Sequence, residues 1–209
     1  MKTRSPVNGF FIAINKLTTK NNIDRLVINY YSVHTGGIYL ENNYFLKMKG
    51  KGKTPLQVNG KDAVTGLIGG FITILALASL TAYTSSLWLM APFGASCVLV
   101  FSAWNAPLSQ PRNVIGGHFI SALTGIVVFE VFGAHPWTFA LGTGLAICLM
   151  MLTKTTHPPA GADPIVVIQG AYAWSYLVFP VLIGSVIIVI IALVINNLRK
   201  NRQYPAFWL

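Results

Sequence analysis

Two hundred and nine residues would ordinarily form one domain or two small ones, yet 54% are hydrophobic and only 10% charged. With a mean hydropathy of +0.60, this balance excludes a soluble globule of that length. Fifteen Lys and Arg against five Asp and Glu give +10, but ten of the fifteen precede residue 62. The charge is therefore a terminal feature, not a nucleic-acid-binding face. Between residues 63 and 198 only Arg112, Glu130, Lys154 and Asp163 are formally charged, too little polar surface to fold in water. Cys97 and Cys148 both lie in apolar runs, so neither a disulfide framework nor a CxxC metal site is indicated.

Residues 1–61 mix Lys, Asn, Thr and Gly with short apolar bursts, none long enough to cross a membrane. They read as a basic cytoplasmic segment. Its last part, with Lys47, Lys49, Lys51, Lys53 and Lys61 among glycines, is either a collar for anionic lipid headgroups or a plain solvated face.

Apolar runs then follow at 63–82, 87–104, 114–132, 137–152, 160–174 and 176–195, predicting an all-α, multi-pass transmembrane bundle over residues 62–198 with a cytoplasmic tail at 199–209. The 87–104 and 160–174 runs carry Pro and Gly where a simple span would not, so they either cross as broken helices or are re-entrant. Six crossings with the N-terminus inside put Arg112, Lys154 and the Arg199, Lys200, Arg202 tail on the cytoplasmic side of the inner membrane, with both termini. Trp88, Trp104, Trp137 and Trp174 fall near run ends, as in an aromatic belt.

Residues 92–100 (Pro-Phe-Gly-Ala-Ser-Cys-Val-Leu-Val) align with 159–167 (Pro-Ala-Gly-Ala-Asp-Pro-Ile-Val-Val) at an offset of 67 residues. Each copy sits between two apolar runs, so the chain reads as two three-element repeats, 63–132 and 137–195. Three crossings per repeat would invert the second relative to the first, the plan of many transporters. Pro is tolerated in a first helical turn, and the free N–H groups beyond it, at the positive end of the helix dipole, favour a small anion.

The candidate anion-binding or pore residues are Gly94, Ala95 and Ser96 in the first copy, Arg112 and Asn113 at the next helix start, and Lys154, Thr155, Thr156, His157, Gly161 and Ala162 around the second. Arg112 and Asn113 could donate to an oxyanion and Lys154 attract one, while interfacial snorkelling accounts equally for the two charges. His157 could instead cap or pack a rigid His-Pro-Pro turn. A carboxylate repels an anion unless protonated, so Asp163 is a proton-coupling group, as His157 could also be, a partner for Lys154 or His157, or an Asp in a first helical turn. His118 and Glu130 lie twelve residues apart on one run, about 18 Å, too far to share a metal. Gly117, Ser121 and Gly125 form one small-residue stripe, and Gly66 and Gly70 another; these favour close helix packing or a homo-oligomer seam.

The runs Ala91-Pro-Phe-Gly-Ala-Ser96, Gln110-Pro-Arg-Asn113 with Gly116-Gly-His118, and Thr156-His-Pro-Pro-Ala-Gly-Ala162, in this order, resemble the HPP family of integral membrane proteins. Tyr44-Phe-Leu-Lys-Met-Lys-Gly50 is similar to the family's usual start, so the resemblance covers 44–198. It implies four or more spans and, from plant chloroplast and cyanobacterial members, nitrite transport; bacterial members need not share that substrate. The family more often carries a neutral Asn where Asp163 stands, which implies a difference in substrate or coupling. The expectation is a channel or secondary transporter for a small monovalent oxyanion, nitrite first, in the lipid bilayer, without cofactor, metal or nucleic-acid partner. The alternatives are a non-transporting assembly subunit and a membrane-embedded enzyme using His157, Asp163 and His118, although the sequence has no HExxH or GxSxG motif.

Overall fold

The computed structural model describes residues 52–209 apart from 56, 58 and 85. The basic segment expected at 1–61 therefore lies, up to residue 51, outside the described residues. Of the two units into which the chain divides, Met1–Leu56 and Gln57–Leu209, the second carries six helices among the described residues: α1 (Gly60–Thr84), α2 (Ala91–Ser102), α3 (Pro111–Phe132), α4 (Pro136–Leu152), α5 (Asp163–Gly170) and α6 (Ile183–Asn197). The stretch Leu177–Leu182 leads into α6 through a kink at Phe179, whose backbone is extended (φ −123°, ψ 113°), and short 3₁₀ turns cover Pro107–Ser109 and Pro158–Ala162.

Among the described residues three stretches are long and apolar enough to cross a membrane: Gly60–Thr84, Pro111–Phe132 and Leu177–Asn197. The two Pro-Gly runs are shorter than their apolar extent. At 1.5 Å per residue α2 reaches about 18 Å and α5 about 12 Å, well short of a 30 Å hydrocarbon core. Proline sets both starts. Pro92 stands in the first turn of α2, and the chain before it is extended, with Thr81 Oγ1 accepting from the N–H groups of Trp88 and Leu89, both at 3.0 Å. Pro158 and Pro159 hold the second run in a 3₁₀ turn until Asp163. There α5 begins, ending at Ala171 in a left-handed conformation.

At one end of the bundle, Asp62 in the first turn of α1 pairs with Arg199 and Arg202 beyond α6. Arg202 Nη1 donates to the carbonyl of Phe101 near the end of α2. Tyr204 donates its hydroxyl proton to the carbonyl of Ser109, just before α3, and Arg112 donates to the carbonyl of Thr153, just after α4. At the other end Trp88 meets Phe179 edge to face at 5.5 Å, and Tyr176 donates to Met90 Sδ at 3.6 Å. Successive elements therefore alternate in direction, and all the basic side chains just named lie at one end.

α1 buries Thr65, Gly69, Thr73 and Leu77, and α4 buries Thr138, Gly142, Ala146 and Met150. Both stripes begin Thr, Gly at the same four-residue spacing, at a separation of 73 residues, and then differ as Thr, Leu against Ala, Met. Gly69 faces Phe101 and Gly142 faces Ile168; Phe101 and Ile168 are 67 residues apart, the offset seen in the sequence. Gly117 on α3 and Gly184 on α6 are also separated by that offset, and each receives a residue of the other half's middle element, His157 and Phe93 respectively.

The stripe of small residues on α3 is an internal groove. Asn113, Gly117, Ser121 and Gly125 share a face at four-residue spacing, and the chain from Thr156 to Pro164 runs along them. Asn113 Nδ2 donates to the carbonyl of Thr156 at 2.9 Å and Ser121 Oγ to that of Ala160 at 2.6 Å. A Cβ on Gly117 would stand 2.7 Å from Cβ of His157, and one on Gly125 2.7 Å from Cα of Pro164. Around Gly66 and Gly70 nothing lies within 4 Å of such an atom, so that second stripe faces outward.

Candidate functional site

The groove brings four polar side chains from three elements to one point: Ser96 on α2, His118 on α3, His157 before the 3₁₀ turn, and Asp163 at the start of α5. All four have no solvent exposure. His118 is seven residues past Pro111, about 10 Å along α3 from the basic end. Ser96 Oγ lies 2.7 Å from Nε2 of His118 and 2.9 Å from Nε2 of His157. Nδ1 of His118 is 2.8 Å from Oδ2 of Asp163, and Nδ1 of His157 is 2.8 Å from the carbonyl of Leu108. The imidazoles meet edge to face at 5.1 Å, and Phe93 packs edge to face on His118 at the same distance. Asp163 Oδ1 is buried and makes no hydrogen bond among the described residues.

Each member is where its element must put it. Ser96, four residues after Pro92, also lies 3.2 Å from the Pro92 carbonyl. Gly116 and Gly117 let the Thr155–His157 stretch approach α3 closely, placing His157 beside His118. Asp163 caps the turn of prolines. Tyr176, stacked on Tyr172 with ring centroids 4.1 Å apart, lies within electrostatic reach of Asp163.

The remaining candidates divide into two groups. Arg112 Nη2 and Asn113 Nδ2 donate to the carbonyls of Thr153 and Thr156, shaping the turn that carries Lys154, Thr155 and Thr156. Lys154 is exposed with φ of 58°. Thr155 is buried with its hydroxyl 2.8 Å from that of Thr153, and Thr156 donates to the Met150 carbonyl at 3.4 Å. Gly94 and Gly161 have no atom within 4 Å of a Cβ position; Ala95 is exposed and Ala162 half-buried. The cluster thus unites Ser96, His157 and Asp163 from the expected set, whereas Arg112, Asn113 and Lys154 stand at the basic end.

His118, the hub, was absent from the expected anion-binding and proton-coupling residues. Its signal was present: it follows Gly-Gly in a membrane-embedded run, and a buried carboxylate at Asp163 requires a partner. Among the described residues no group of three His, Cys, Asp or Glu side chains is placed to hold a metal ion.

Residues 55–205 match the family described as HPP, transmembrane region. The chain belongs to this family. Two transmembrane proteins of Dictyostelium discoideum are similar to the HPP chain. One is 36% identical over 177 residues, covering 79% of this chain and 57% of the relative. The other is 36% identical over 180 residues, covering 79% and 63%. This HPP chain thus spans less than two thirds of the length of either relative. No solved structure matches it.

Proposed function

We propose that this HPP protein moves a small monovalent oxyanion, nitrite first, across the cytoplasmic membrane. The observation that carries the reading is the wholly buried Ser96–His118–His157–Asp163 cluster, which joins the two Pro-x-Gly-Ala segments inside an apolar bundle. Ionisable side chains in such surroundings are costly and mark ion or proton pathways.

The architecture supports the same reading. The shared Thr, Gly start of the buried stripes of α1 and α4, on helices that run in opposite directions, favours two inverted repeats whose short middle elements meet inside the membrane. Six crossings follow, with Arg112, Lys154 and Arg199 on the cytoplasmic side. The far-end connections, 85–90, 133–135 and 171–176, contain no Lys or Arg. Arg112 and Lys154 would then gather anions at the cytoplasmic mouth, and the open positions at Gly94 and Gly161 would let one approach the backbone.

The order Ser96, His118, Asp163 also matches a nucleophile, its base and the acid that orients the base, which keeps a membrane-embedded hydrolase as the second reading. It is the weaker one, because Ser96 Oγ is buried and shared between two imidazoles and the Pro92 carbonyl. A role limited to assembly would leave the burial of four polar groups without purpose.

Flux of nitrite, nitrate, formate and chloride into proteoliposomes tests the proposal. Movement of none of them above protein-free vesicles removes it, and covalent labelling of Ser96 by a fluorophosphonate would favour the hydrolase.

A further inference from the structure

We propose that Asp163, His118, Ser96 and His157 form a relay holding one transferable proton, and that this proton accompanies each anion. The inference rests on the transport reading for its cargo, but the proton count comes from the geometry alone.

The Leu108 carbonyl can only accept, so the 2.8 Å contact fixes a proton on Nδ1 of His157. Ser96 has one hydroxyl proton for three neighbours, the two imidazole nitrogens at 2.7 and 2.9 Å and, farther off, the Pro92 carbonyl at 3.2 Å. One of those nitrogens must therefore itself carry a proton. The 2.8 Å contact between His118 Nδ1 and Asp163 Oδ2 needs one more. The four links at 2.7 to 2.9 Å need four protons, with the Pro92 carbonyl left at its longer contact, and four protons make the cluster electrically neutral. With neutral imidazoles, an intact hydroxyl and an ionised carboxylate there are only three. The cluster would then be a buried anion with two acceptors face to face, which burial penalises twice. Hydrogen bonding and charge thus demand the same extra proton.

That proton has a path. It begins on Asp163 Oδ2 and passes to Nδ1 of His118. His118 then releases its Nε2 proton to Ser96 Oγ, and Ser96 releases its own to Nε2 of His157. The carboxyl ends ionised and His157 ends as the cation, with net charge zero throughout. The outer end of the path is Asp163 Oδ1, buried and unpartnered among the described residues, where a proton donor can dock. The other end, His157, is tied to the turn at the basic end of the bundle. The surrounding elements add few rivals for the proton. Tyr176, with Tyr172 stacked on it, faces Asp163, and Phe93 covers His118.

A relay that reloads its one proton for each monovalent anion moved makes the carried unit, proton plus anion, neutral. An acid-outside gradient of one pH unit should then support about tenfold accumulation of nitrite, indifferent to membrane potential. Nitrous acid crosses lipid unaided, so the readout is the initial nitrite uptake rate in proteoliposomes less that of protein-free vesicles, as a ratio with and without the gradient. Asp163→Asn is isosteric and can donate its amide proton to His118, keeping every link while removing the transferable proton. The ratio should exceed one in wild type and fall to one in this variant, a change that mere loss of folded protein would not produce. Wild-type uptake that ignores the gradient overturns the relay and leaves transport standing. Absence of uptake of nitrite, nitrate, formate and chloride alike overturns transport and coupling together.

The proton count is read without any anion, from ¹⁵N-histidine NMR and the infrared carboxyl band of the full chain in micelles. Between about pH 6 and 8 the expected state has one imidazolium, or a protonated carboxyl band that Asp163→Asn abolishes. Two neutral imidazoles beside an ionised Asp163 overturn the relay whatever the flux shows.

Discussion

Ser96 and Asp163 occupy the same position of the duplicated Pro-x-Gly-Ala segment, and a single imidazole, that of His118, bonds to both at 2.7 and 2.8 Å. The two Pro-x-Gly-Ala segments thus place two different polar groups where α3 bridges them. Serine can pass a proton on and aspartate can store one, which is the division of roles the proposed relay requires.

The first prediction concerns this bridge. His118→Ala leaves Asp163 buried with no partner, and removing one member of a buried pair costs about 3–5 kcal/mol. Asp163→Asn should cost less, because the amide still bonds His118. In the double variant the penalty should fall below the sum of the two singles, since no carboxylate is left unpaired. Unfolding midpoints in detergent for the four proteins decide this; strict additivity would mean that His118 and Asp163 do not interact.

The two small-residue stripes should respond differently. Gly117→Ala drives a methyl to 2.7 Å from Cβ of His157 and 2.9 Å from the Thr155 carbonyl, and such overpacking costs about 1–3 kcal/mol. It should also disturb transport by displacing His157. Gly66→Ala and Gly70→Ala meet no atom within 4 Å, so they should be neutral or raise stability slightly by helix propensity. Should those two variants instead dissociate an oligomer in cross-linking, the outward stripe is a subunit seam.

Topology is checked with cysteines introduced into a Cys97- and Cys148-free background. Lys154→Cys, on an exposed turn, should react with a membrane-impermeant maleimide from the cytoplasmic side. Ala134→Cys, between α3 and α4, should react from the outside. Reaction of Lys154→Cys from outside contradicts six crossings and the inverted repeat together.

The positions of the helices were legible because their signals are local: long apolar runs, proline at helix starts, and Gly133 at the end of α3. The extents of α2 and α5 were not, since hydropathy cannot show that Thr81 holds residues 88 and 89 extended or that Pro158 and Pro159 delay α5 to Asp163. In the site, Ser96, His157 and Asp163 were readable because they sit in or beside the repeated segment. His118 lies outside the repeated segment, and its role depends on how α3 is rotated, which only the packing of Gly117, Ser121 and Gly125 reveals. Asn113 carried a donor an anion site needs, but a sequence gives no means of telling that the Thr156 carbonyl already occupies it.

The last prediction concerns the C-terminal tail, which the sequence placed only as a basic cytoplasmic extension. Arg202 is buried: Nη1 donates to the Phe101 carbonyl at 2.9 Å and to Asn196 Oδ1 at 2.8 Å, Nη2 lies 2.9 Å from Asp62, and the guanidinium stacks 3.7 Å from the Trp104 ring centroid. Two residues on, Tyr204 bonds the Ser109 carbonyl at 2.9 Å, beside the Leu108 carbonyl that orients His157. Burial raises the phenol's pKa, so Tyr204 stays a donor at neutral pH. Arg202→Ala should therefore lower stability by about 1–3 kcal/mol, the cost of leaving the buried Phe101 carbonyl and Asn196 Oδ1 without a donor, while Asp62 keeps Arg199. Arg202→Lys should recover little, because an ammonium cannot stack and bond in several directions at once. Tyr204→Phe tests the link to the site: loosening the 107–109 turn should shift the His157 ring ¹⁵N signals in the full chain. Unchanged signals with a lowered unfolding midpoint would confine the tail to stability.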